Sequence, residues 1–414
     1  MIYPILICMA LGFPVLSLLL SSLYYFEYKN AIRAATLYGV AFFSVFYNYI
    51  PDSGNDSIRH MENLRNYINI PIWKSINAGP LKEIYVWDIW NWFVAQFNKP
   101  YLMPATGALV GYTISMYLIL DFCKQVKLSN KSTAWILTIA LLDSSPVGYA
   151  VGIRSANAYL CCILGMYLCE VKKKNKLCGI ALMIVGILIH HSALLILALW
   201  VIFPIFLKNP KKIGVIIFLT LLSLTIISNY FLRNVVSDNI LLSMITDSFQ
   251  SVTSYQLHNS YNDSVQSSFK YKFETTLSFL MIALMLLRCR FIGKNKSKKN
   301  SGDVDVFVKV KMLSILFLIA TCALMTVLLI NGNRYTLIVS ETALLALAYS
   351  YRMIPPLPRK QNLFIVTMFD ISIMCCAFIK IALSIYTLCW GDASPFSLVG
   401  GMLGGMVYSL ISGR

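Results

Sequence analysis

The chain has 414 residues, 58% hydrophobic and only 13% charged, with a formal net charge of +17. Soluble domains carry about 25% charged residues, and many apolar runs here approach the ~20 residues that cross a bilayer; a soluble fold is excluded and an all-α, polytopic transmembrane helical bundle is indicated. The Lys and Arg fall in short clusters between apolar runs, as topology determinants do, so nucleic acid is not an expected partner.

The N-terminus opens "MIYPILICMALGF", without a basic n-region or a small-residue cleavage site, so no signal peptide is expected. About 13 spans are predicted, at 2–25, 31–50, 101–121, 132–150, 155–171, 177–189, 192–207, 213–232, 273–288, 312–330, 335–351, 362–388 and 397–412, with 1–414 forming a single integral membrane domain. The loop 52–100 opens "PDSGNDSIRHMENL", supplying Asp52, Asp56, Arg59, His60 and Glu62. The two aspartates lie in a Gly/Asn/Ser-rich turn, where helix capping is an equal reading. Further on, "LKEIYVWDIWNWFVAQF" (81–97) mixes aromatic residues with charge and is predicted as a helix lying in the membrane interface.

Arg154 sits in "PVGYAVGIRSANA", where Pro146, Gly148 and Gly152 interrupt the apolar pattern just before it. Next come 31 residues, Leu177 to Leu207, apolar or small except at His190, His191 and Ser192. Titratable groups are expensive in hydrocarbon, so this pair needs a reason. Adjacent side chains on a helix point ~100° apart, so one histidine at most is expected to face a shared cavity. A second polar loop, 233–272, is rich in Ser, Asn, Gln and Tyr, suited to sugars or simply solvated. "RCRFIGKNKSKKN" marks a basic loop, 289–311. "INGNRYT" places Asn333 and Arg334 in a tight link, with Glu341 two helical turns beyond Arg334 on an expected common face. Asp370 and Lys380 interrupt a late span, as a pair or as snorkelling side chains. The eleven cysteines read as small apolar fillers. No Cys/His spacing suits zinc, and neither metal nor cofactor is expected.

Charge sets the orientation. One alternate set of loops carries 24 Lys and Arg and the other 10. The richer set is expected in the cytoplasm, with the N-terminus outside and the C-terminus cytoplasmic. That alternation also decides the histidine segment. A single long helix over 177–207 would put "RCRFIGKNKSKKN" outside, so two short spans meeting at His190–Ser192 are preferred.

Arg154, Arg334, Asn333, the histidines and the acidic loop then share the outer side. Singly, each arginine reads as well as a lipid-headgroup anchor, and Glu341 with Arg334 as a structural ion pair. Together they suit pyrophosphate, because the arginine fork gives two charge-assisted hydrogen bonds. A histidine or carboxylate can accept the proton of an attacking sugar hydroxyl.

"GIRSANAYLCCILGMYLCEVKKKNKLCGIALMIVGILIHHSALLIL" resembles the central signature of EpsG-type, Wzy-like polysaccharide polymerases. That signature is an Arg at the head of a span, a basic cytoplasmic turn and an "iHxSal" histidine. Here these are Arg154, Lys172–Lys176 and His191, with His190 as the alternate. The acidic opening of loop 52–100 and "NRYTLIVSETALLAL" are similar to further family segments, although the family's aromatic residue near the loop aspartate is lacking. The resemblance implies polymerisation of undecaprenyl-pyrophosphate-linked oligosaccharide repeat units (O-antigen, capsule or exopolysaccharide) at the outer face of a bacterial cytoplasmic membrane. Its partners would be that lipid-linked substrate and the bilayer, with a flippase and a chain-length regulator of the same pathway as candidates. Arg154, Arg334 and Arg59 would hold pyrophosphate, and His191, His190, Asp52 or Asp56 would act as base. Asn333 and Glu341 would support the arginines. The rivals are a lipid-linked oligosaccharide flippase or transporter and a membrane O-acyltransferase.

Overall fold

The structure, a computed structural model, describes residues 2–47, 49, 56–76, 85–143, 149–150, 152–173, 175–231, 269–294, 301–325, 335–352, 360–387 and 402–405. The regular elements among them are all helical. Five segments are long and apolar enough to cross a membrane: Leu102–Gln125, His191–Lys208, Lys272–Ile292, Val306–Met325 and Leu363–Ser384. Ile2–Gly12, Ala31–Phe46 and Lys176–Ile189 are shorter apolar helices. The chain divides into two compact units, Met1–His190 with Phe378–Arg414, and His191–Ala377.

The first unit begins with α1 (Ile2–Gly12), α2 (Pro14–Tyr28) and α3 (Ala31–Phe46). The single span expected over 2–25 is thus two helices. Pro14 disfavours α conformation at the residue before it, and Phe13 adopts φ −136°, ψ 69°. Next come α4 (Asp56–Asn63), a one-turn α5 (Ile72–Ser75), α6 (Tyr85–Ala95), α7 (Leu102–Gln125) and α8 (Asn130–Asp143). α9 (Ile153–Tyr167) runs into a π turn, Leu168–Lys172, followed by α10 (Lys176–Ile189).

Phe42 of α3 stacks on Tyr112 of α7, ring centroids 3.4 Å apart. At one end of this unit Lys124 Nζ donates to the Lys29 carbonyl (2.9 Å), and Lys172 pairs with Asp121 (3.0 Å). Tyr167 donates to the same carboxylate at 2.6 Å. Three loops assigned to the basic set, around 29, 124 and 172, therefore meet at one end. At the opposite end Tyr47 packs against Tyr101 (5.0 Å), and Trp90 Nε1 donates to Thr106 Oγ1 (3.0 Å).

Helices α4 to α6 cover that second end. α6 buries Trp87, Asp88, Asn91, Val94 and Ala95, and leaves Ile89 and Phe93 exposed. Such two-facedness suits a helix at an interface. His60 is buried edge-on to Trp87 (5.1 Å). Tyr67 donates to Asp88 Oδ1 at 2.7 Å. Burial, and then the hydrogen bond to Asp88, push the Tyr67 phenol well above its ordinary value.

The second unit holds a 3₁₀ turn, His191–Ala193, then α11 (Leu194–Lys208), α12 (Pro210–Phe231), α13 (Phe269–Lys294), α14 (Ser301–Met325) and α15 (Thr336–Arg352). α16 (Lys360–Thr387) carries the chain back to the first unit. The stretch 289–311, expected as a basic loop, is largely made of the ends of α13 and α14. Arg288, fully buried on α13, bonds Asp370 Oδ1 through Nε at 2.6 Å and Ser350 through Nη1, and lies 3.8 Å over the Tyr351 ring. Residues beside 288–311 and 352–360, both in the basic set, thus converge.

Candidate functional site

The break at the histidines has a backbone cause. α10 ends at Ile189, and His190 is extended, at φ −156° and ψ 118°. His191 opens the 3₁₀ turn before α11. The expected two short helices are present, but the helical 100° offset between the histidines is not, because neither lies in an α-helix. The division between units falls between them, so His190 belongs to the first and His191 to the second.

In the first unit α9 and α10 are antiparallel and close. A Cβ on Gly179 would stand 2.6 Å from the Gly165 carbonyl oxygen, and one on Gly186 would stand 2.6 Å from that of Ala158. Only glycine permits that approach. The two contacts step seven residues up one helix and seven down the other. Four residues further along, the same register sets His190 level with Arg154. The Tyr159 and His190 rings, 6.4 Å between centroids, lie along this line.

Arg154 is the second residue of α9, and its Nε and Nη1 are shut off from the surface. The first turn of a helix leaves N–H groups without intrahelical acceptors, and Gly152 at the N-cap has no side chain to cover them. A guanidinium beside such a terminus is a combination that attracts phosphate oxygens. Asn157, one turn on and fully buried, ties this helix start to α7 by donating to the Gly107 carbonyl (3.3 Å) and to Ile153 O (2.7 Å).

In the second unit the Tyr335 hydroxyl donates to the Ser192 carbonyl at 3.1 Å. That bond joins the histidine turn to the "INGNRYT" link, two segments singled out separately in the sequence. The sequence signal for Tyr335 is its position directly after Arg334. Arg334 and Asn333 lie outside the described residues, and α15 starts only at Thr336. The expected common helix face of Arg334 and Glu341 therefore lies outside what the described residues show. Glu341 is buried between Ser340 and Thr342, also buried.

The acidic loop is less informative. Asp52 lies outside the described residues, and Asp56 opens α4, a position that suits a carboxylate by the helix dipole. Arg59 is exposed. Asp370 and Lys380 do not pair with each other. Asp370 holds Arg288, and Lys380 donates to Asp143. No group of three or more His, Cys, Asp or Glu is placed to hold a metal ion among the described residues.

No curated protein and no solved structure matches the chain. A family model does, the EpsG family, over residues 74–390. That range includes Arg154, His190, His191, Asn333, Arg334 and Glu341 and leaves out Asp52, Asp56 and Arg59. The match spans well over half of the sequence, and the chain belongs to the EpsG family.

Proposed function

We propose that the protein is a membrane polymerase of polysaccharide biosynthesis that joins undecaprenyl-pyrophosphate-linked oligosaccharide repeat units at the outer face of the bacterial cytoplasmic membrane. The observation that carries this is the register of α9 and α10, which sets Arg154 level with His190 in the first unit. In the second, Tyr335, the residue after Arg334 in the sequence, donates to Ser192 of the turn that begins at His191. The reaction has two lipid-pyrophosphate substrates, a donor and an acceptor, and each unit would serve one of them.

In this reading an attacking hydroxyl of the acceptor glycan displaces polyprenyl pyrophosphate from the reducing-end sugar of the donor. His191, with His190 as alternate, takes the hydroxyl proton. The arginines stabilise the charge gathering on the leaving pyrophosphate, the dominant electrostatic term in such a transfer. The family match stops short of Asp52 and Asp56, which favours histidine over the loop carboxylates as base.

Deleting the gene and resolving the surface polysaccharide on a gel tests the proposal. Single repeat units on lipid are the expected result. Absence of surface glycan would make the protein a translocator, and a full ladder lacking acyl groups would make it an acyltransferase.

A further inference from the structure

The first two helices do not lie end to end. On one straight helix Tyr3 and Tyr24 would stand about 30 Å apart. Their ring centroids are 5.7 Å apart. The Tyr3 hydroxyl donates to the Arg33 carbonyl (3.4 Å). The Arg33 guanidinium lies over the Tyr3 ring (5.4 Å) and donates to the Tyr24 hydroxyl (3.5 Å). The beginning of α1 is therefore beside the end of α2 and the start of α3. At the other end of the pair, Ser44 of α3 donates to the Leu11 carbonyl. Gly405, where a Cβ would collide with that same oxygen, closes over the turn. Phe13, whose backbone is not helical, reverses the chain between Gly12 and Pro14.

The pattern on α2 shows what surrounds this pair. The helix exposes Val15, Leu16, Leu19 and Leu23 and buries Ser17, Ser21, Tyr24 and Tyr25. A surface helix in water has the reverse order, apolar inward and polar outward. Two of the buried hydroxyls are satisfied inside the unit: Ser21 donates to the Ser17 carbonyl (2.6 Å), and Tyr25 to the Leu120 carbonyl of α7 (2.8 Å). Ile2 and Ile5 extend the exposed apolar surface onto α1. In water such a face costs free energy, and against acyl chains it does not. Backbone polar groups in hydrocarbon need internal partners, and the turn supplies them. Phe13 N–H donates to the Met9 carbonyl (2.7 Å), and the Phe13 carbonyl accepts from Ser17 N–H (3.0 Å).

We propose that residues 2–28 form a helical hairpin set in the bilayer, with acyl chains against its apolar face, and that it returns the first residues of α1 to the side of Lys29. A single span over 2–25 places those residues on the opposite side. The charge count is indifferent between the two arrangements, because no Lys or Arg precedes Lys29. The hairpin is also short. α1 rises about 16 Å and α2 about 22 Å, against a hydrocarbon core of ~30 Å. Such a mismatch is met by thinning of the bilayer beside it.

Spin labels read both parts of the proposal. The full-length protein, with Cys8, Cys178 and Cys375 replaced by serine, is placed in lipid nanodiscs. Nitroxides are attached at Ile2→Cys and Tyr28→Cys, both exposed positions. The hairpin puts these labels within about 20 Å of each other, whereas one continuous helix puts them about 40 Å apart. A dipolar distance near the longer value overturns the proposal. A single label at Leu19→Cys reads the face. Acyl chains there make the nitroxide more accessible to oxygen than to a nickel chelate. Preference for the chelate would mean water, and a dipolar signal between copies would mean that a second copy covers the face. Either result also overturns the proposal. Neither readout involves polymer, so the hairpin and the polymerase reading stand or fall separately.

Discussion

Arg154 combines a guanidinium with the start of α9, and the two make different demands on a substitute. Lysine preserves the charge and the helix terminus but not the planar fork. Losing one charge-assisted hydrogen bond is worth about 1.5–3 kcal/mol. Arg154→Lys is therefore expected to lower polymer formation roughly 10- to 150-fold, by the usual tenfold per 1.4 kcal/mol, while the protein still accumulates in the membrane. Normal chain length in Arg154→Lys would reduce Arg154 to a charge or a headgroup anchor. The histidines separate by a similar argument. Glutamine can donate a hydrogen bond but is no useful base. A neutral imidazole can accept a proton through its unprotonated ring nitrogen. His191→Gln should leave glycan as single repeat units, and His190→Gln should be milder. A normal ladder from His191→Gln with loss in His190→Gln would move the base to the Arg154 side of the break.

At the scale of elements, the α9–α10 contact is the packing on which the first half-site depends. A side chain at Gly186 collides with the Ala158 carbonyl, which is backbone and cannot swing aside. Gly186→Val is expected to cost about 1–3 kcal/mol, seen as a lower unfolding temperature in detergent, together with a loss of polymer. Unchanged stability would mean that the helices are further apart than described. The cap formed by α4 to α6 allows a second test. Folding disfavours the Tyr67 phenolate, because the folded state binds that proton more tightly. Stability of the cap should then fall as pH rises past ~10, the ordinary tyrosine value. Tyr67→Phe should remove that alkaline dependence at a cost of about 1.5–3 kcal/mol, as measured by hydrogen exchange over 85–95. The helix break at the histidines was legible because its apolar halves are short and charge alternation demands a turn. The close α9–α10 approach was latent in the spacing of Gly165, Gly179 and Gly186. Pairings such as Lys380 with Asp143, 237 residues apart, or Tyr67 with Asp88 depend on tertiary packing that no local pattern encodes. The split at Pro14 was hidden by hydropathy, which runs unbroken across it.

At the scale of the molecule, sidedness decides whether a shared outer site exists. Within each unit the described contacts group the loops as the charge count does. Lys29, Lys124 and Lys172 meet at one end of the first unit. In the second, Arg288 meets Ser350 and Asp370, while Tyr335 meets Ser192 elsewhere. This agreement supports the alternation of loops. The positive-inside bias then predicts that the set with 24 basic residues, against 10, faces the cytoplasm. Cysteine accessibility tests it with two positions from opposite sets, in a background where the exposed Cys8, Cys178 and Cys375 are replaced by serine. Ser260→Cys should react with an impermeant thiol reagent in intact spheroplasts, and Ser297→Cys only after the membrane is opened. The reverse pattern would put Arg154 and the histidine turn on the cytoplasmic side. There they would meet lipid-linked units before export, and a polymerase acting on exported repeats would be ruled out.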